Sequence, residues 1–60
     1  MTNKQVREWV TLHKTNDYST AERVRITRDG EVHAYGRCPS SIERGWWLVG
    51  TLDSVLQEAR

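Results

Sequence analysis

Hydrophobic and polar positions along the chain change period three times, and each change predicts an element. Residues 3–14, NKQVREWVTLHK, set Val6, Trp9, Val10 and His13 at i, i+3, i+4 and i+7, the stripe of an amphipathic helix. Thr2 followed by Gln5 is a capping-box pattern at its start, and Lys14 suits the negative end of the helix dipole. The stretch TNDYSTAE (15–22) reads as a connecting loop, because its Asn, Asp, Ser and Thr compete for backbone hydrogen bonds.

RVRITRDGEVHAYGR then alternates apolar and polar residues around Asp29-Gly30, a hairpin signal. A two-residue turn pairs Ile26 with His33 and splits the apolar residues between two faces. A three-residue Arg28-Asp29-Gly30 loop, with Gly30 left-handed, pairs Ile26 with Val32 and Val24 with Ala34 on one face. The second register is the expectation. It puts Arg23, Arg25, Thr27, Glu31, His33, Tyr35 and Arg37 on the opposite face, with Arg25 across from His33 and Arg23 across from Tyr35.

CPSSIER (38–44) is a loop opened by Pro39, and GWWLVG (45–50) is a third strand bracketed by glycines. TLDSVLQEAR closes the sequence as a helix with Thr51 as N-cap, Asp53 in the first turn and Leu52, Val55, Leu56 and Ala59 on one side. The expectation is one α+β domain over residues 1–60: an N-terminal helix, a three-stranded antiparallel meander and a C-terminal helix.

Length narrows the picture. A 60-residue chain buries only about 60% of its unfolded surface, so its stability is marginal without a staple. One cysteine, Cys38, allows no internal disulfide and suits a reducing compartment. The large apolar residues, Leu12 and Ile42 among them, suffice for one small core and not for a ligand-sized cavity. Nine basic residues stand against eight acidic ones, a balance that counts mildly against a strong nucleic-acid or anionic-membrane binder. MTNKQVREWV has no apolar leader, and no run approaches a membrane span. A soluble, cytoplasmic protein is expected.

Catalytic readings fail one by one. Cys38 and Arg44 match the C-x5-R spacing by which phosphotyrosine phosphatases hold a thiolate beside a phosphate loop. That loop needs converging N–H groups and a helix starting at the arginine. Here Pro39 removes a donor, no glycine intervenes, and a strand-like run follows. His13, His33 and Cys38 lack the short spacing that lets one element present two metal ligands. His13 is expected at the edge of the core, on a backbone acceptor. A triad from Ser40 or Ser41, His33 and Glu43 has no apparent oxyanion hole. No enzyme, cofactor, metal or small-molecule substrate is expected.

What remains is a surface. Trp46 and Leu48 point one way along the strand and Trp47 and Val49 the other, so one tryptophan of the pair is expected to be at least half exposed. An exposed Trp beside Tyr35 and arginines has the make-up of an interface hot spot. The bland alternative is a solvated sheet face with Arg23 or Arg37 lying over the ring. The expected function is therefore a protein-interaction module, possible homodimer included, using Arg23, Arg25, His33, Tyr35, Arg37 and whichever of Trp46 and Trp47 faces out. The alternative is a small nucleic-acid binder using the Arg/His/Tyr face of the hairpin, arginines on phosphates and a ring free to stack.

The plan of a three-stranded sheet followed by a helix resembles the arm-type DNA-binding domains of tyrosine integrases, in architecture and in no motif. In size and style the chain is also similar to accessory proteins of phages and plasmids, including small inhibitors of host or defence complexes.

Overall fold

The computed structural model describes residues 1–40 and 43–60, so Ile42 and Ser41 lie outside the described residues. Element order is α1 (Asn3–His13), β1 (Arg23–Ile26), β2 (Glu31–Arg37), β3 (Arg44–Thr51) and α2 (Leu52–Glu58). The sheet is an antiparallel meander in the order β1-β2-β3. The fold is α+β, as the hydrophobic pattern predicts.

Local chemistry accounts for the helix starts. Thr2 Oγ1 accepts from the Gln5 N–H at 3.2 Å while Gln5 Oε1 accepts from the Thr2 N–H at 2.8 Å, so the capping box is complete. Thr51 caps α2 by accepting from the Ser54 N–H at 3.1 Å, and Asp53 sits in the first turn. His13 Nδ1 lies 3.0 Å from the Trp9 carbonyl oxygen and its ring stacks on Trp9 at 4.5 Å. It finds its backbone acceptor, but outside the core and exposed.

The hairpin has the three-residue loop. Ile26 pairs with Val32, Val24 with Ala34, Arg25 with His33 and Arg23 with Tyr35. Thr27 N–H donates to the Glu31 carbonyl at 2.9 Å and closes the loop, and Gly30 has the left-handed φ of 81° that the bulged turn requires. A one-residue slip would have moved Val32 and Ala34, both fully buried, to the outer face.

The core is Val6, Val10, Ala21, Val32, Ala34 and Val55, with Trp9, Val24, Ile26, Trp47, Val49, Leu52 and Leu56 packed against it. Both helices therefore cover one face of the sheet. Leu12, counted among the core-forming residues from the sequence, is instead 73% exposed, because α1 turns its Val6/Val10 side inward. No helix among the described residues is long and apolar enough to cross a membrane.

The loop at 15–22 is built rather than loose. Asn16 Oδ1 accepts from the N–H groups of Tyr18 and Ser19, and buried Ser19 donates to the Lys14 carbonyl at 2.9 Å. Its last residues run beside β2: the Thr20 N–H donates to the Arg37 carbonyl, Arg37 N–H donates back to Thr20 Oγ1, and Glu22 N–H donates to the Tyr35 carbonyl. Gly36 makes this approach possible. A Cβ there would stand 2.4 Å from the Thr20 carbonyl oxygen, and its φ of 152° is one that L side chains rarely adopt.

Candidate functional site: the uncovered face of the sheet

Register decides which tryptophan faces out. Trp47 pairs with buried Ala34 and packs on the core, where its Nε1–H donates to the Thr20 carbonyl at 3.3 Å. Trp46 pairs with Tyr35 and points to the face that no helix covers, with Leu48 two residues on, opposite His33. Trp46 is 45% exposed, slightly less than the half expected from alternation. The shortfall has a physical cause. Arg25 reaches over β2 to place its Cζ 4.4 Å from the Trp46 ring centroid, and Tyr35 meets the same ring edge-on at 5.5 Å. The cation over the ring is thus Arg25, and neither Arg23 nor Arg37.

The seven residues nominated from the sequence separate into three groups. Arg23, Arg25, His33, Tyr35 and Trp46 share the outer face, as alternation and pairing require. Arg37 starts on that face but is turned away: its guanidinium donates to the Asp17 carbonyl in the 15–22 loop. It holds the loop. Trp47 is a core-side residue and leaves the set. Sequence reasoning missed two residues. Leu48, 56% exposed, follows from Trp46 by strand alternation once the register is known. Arg44 pairs across the ladder from Arg37 and binds Glu22, which lines a shallow depression with Arg23, Tyr35 and Arg44.

The face mixes charge around an aromatic centre. Arg44 is paired with Glu22, and His33 Nε2 lies 3.5 Å from Glu31 Oε1. Arg23 and Arg25 supply the remaining positive charge, Arg25 over a π face.

Cys38 and Arg44 line a shallow depression together with Glu43, Gly45 and Trp46. Hydrogen bonds from the Ser40 side chain and backbone hold the Cys38 thiol below the ordinary range, with Sγ 3.3 Å from Ser40 Oγ. Arg44, however, opens strand β3 rather than a helix. Among the described residues no cluster of three or more His, Cys, Asp or Glu is placed to hold a metal ion.

Compared with protein-family models, curated proteins and solved structures, the chain gives no significant match.

Proposed function

We propose that this chain is a non-enzymatic protein-interaction module whose outer sheet face, centred on Trp46 and Leu48 and flanked by Tyr35, Arg23 and Arg25, binds a protein surface. The observation that carries the reading is the two-layer arrangement: both helices pack on one side, and the largest exposed apolar residues of the sheet lie together on the other. A contiguous exposed apolar patch on a small domain marks contacts, and Trp, Tyr and Arg are the residue types enriched at interface hot spots. A partner that suits it presents apolar groups to Trp46 and Leu48. Lone Cys38 fits a reducing, cytoplasmic setting.

Nucleic-acid binding is the second reading, favoured by Arg23 and Arg25 beside two rings. Three contacts weigh against it. Arg44 is held by Glu22 in a half-exposed pair, Arg37 is committed to the loop, and Arg25 occupies the Trp46 face on which a base would stack.

A photoreactive amino acid at position 48, compared with one at exposed position 12 on α1, tests the proposal in the cells that make the protein. Crosslinks to protein from 48 and not from 12 are expected. Crosslinks to nucleic acid, or equal yields from both positions, overturn it.

A further inference from the structure

We infer that β3 is a docking edge for β3 of a second copy, in an antiparallel pairing with its two-fold axis at Trp46, giving a continuous six-stranded sheet. The inference rests on the proposed function and names its partner.

Among the described residues, the ladder defines which edge is unpaired. Glu22 and Thr27 donate to the carbonyls of Tyr35 and Glu31, so the odd-numbered residues of β2 bond towards β1. The even-numbered ones bond towards β3, and the Cys38 N–H donation to the Glu43 carbonyl fits this phase. With Ala34 opposite Trp47 and Gly36 opposite Gly45, it is Gly45 and Trp47 that bond inward. Alternation in an antiparallel ladder then turns the N–H and C=O groups of Arg44, Trp46 and Leu48 to the outer edge. These are the residues whose side chains also stand on the uncovered face.

The two sheet edges are treated differently. β1 has four residues, two of them arginines, and carries α1 on its covered face just as β3 carries α2. β3 has eight, with a single charge at its first position and neither lysine nor proline to block pairing. Natural proteins rarely leave a long apolar edge in that state without a strand to receive.

A second copy fits for three reasons. The ladder is regular from Arg44 to Leu48 and is interrupted by a bulge beyond, where the register shifts between Val32 and His33. The regular run is centred on Trp46, so the unbulged edge matches itself about a two-fold there: Trp46 faces the partner's Trp46, and Leu48 faces the partner's Arg44. The like charges stay apart, since the two Arg44 residues lie four positions offset, roughly 14 Å at the rise of a strand. Finally, the fully buried large side chains are four valines, a thin core for a 60-residue chain, and pairing adds backbone hydrogen bonds and cover for Trp46 and Leu48.

Sedimentation equilibrium on the wild type, Leu48→Lys and Leu48→Glu tests the pairing, with amide exchange as a second readout. The wild type should show a mass near twice 7.0 kDa, and slow exchange at the Arg44, Trp46 and Leu48 amides. Leu48→Lys sets a cation against the partner's Arg44 twice per dimer and should weaken association about tenfold; Leu48→Glu sets a carboxylate there and should retain it. Position 48 is exposed, so neither change threatens the core. A dimer with fast-exchanging edge amides, or one that Lys and Glu weaken equally, overturns the edge pairing and leaves the face reading standing. A monomer whose position 48 crosslinks to a different protein does the same. A monomer with no such crosslink overturns both.

Discussion

Gly36→Ala is the substitution whose effect can be worked out furthest. Two costs combine. The backbone at φ 152° is rarely adopted by L residues, which costs about 1–3 kcal/mol. The new methyl would also lie 2.4 Å from the Thr20 carbonyl oxygen, 2.5 Å from Thr20 Oγ1 and 3.0 Å from the Thr20 carbonyl carbon. Two of those atoms are backbone, so a side-chain swing cannot relieve the clash and the 20–22 segment must lift. Lifting it strains three hydrogen bonds: Thr20 N–H to the Arg37 carbonyl, Arg37 N–H to Thr20 Oγ1, and Trp47 Nε1–H to the Thr20 carbonyl. At about 1 kcal/mol each, with some retained, the total is about 3–5 kcal/mol. A 60-residue domain holds only about 3–9 kcal/mol in all, so the variant should be largely unfolded or close to it. Gly45→Ala is the control, because Gly45 sits opposite Gly36 in the same rung with nothing within 4 Å of its Cβ position. It should shift stability by less than about 1 kcal/mol. Urea titration followed by tryptophan fluorescence measures both. If Gly36→Ala costs no more than Gly45→Ala, the Thr20 crossing is not the constraint described here.

Thr51→Ala removes the hydroxyl that caps α2 and should cost about 1 kcal/mol, read as a lower urea midpoint with unchanged slope. Ser40→Ala removes the side-chain hydrogen bond, the main influence lowering the Cys38 thiol; the thiol should move back up towards its ordinary value, and alkylation near neutral pH should slow. The sign is fixed: less thiolate at a given pH, and no change in rate well above the ordinary thiol value, where both forms are ionised. Arg25→Gln takes the cation off Trp46 and should change stability by less than about 1 kcal/mol while raising quenching of Trp46 by acrylamide.

Much of this fold is legible in the sequence because its signals are local. The capping box at Thr2 and Gln5, the bulged Arg28-Asp29-Gly30 turn and the cap at Thr51 each lie within a few residues, and one apolar face selects the hairpin register. Choosing between Trp46 and Trp47 required the β2–β3 register, which a loop of ambiguous length does not supply. Strand phase alone places Arg37 on the face; only the approach of the 15–22 loop shows its guanidinium drawn to the Asp17 carbonyl. Gly36 carried the one sequence hint of that approach, a glycine inside an otherwise good strand. Leu12 shows the opposite limit: a leucine in a helix is not thereby inside.

The most direct measurement of the central claim, that the outer face serves protein contact rather than nucleic acid, is the molar mass in solution. It should be taken alone, with a mixed-sequence duplex and with a single strand, at low and moderate salt. The expected result is a mass near twice 7.0 kDa that neither nucleic acid alters. A monomer that forms a complex with either strand type, and loses it as salt rises, would contradict the account and make Arg23 and Arg25 phosphate contacts.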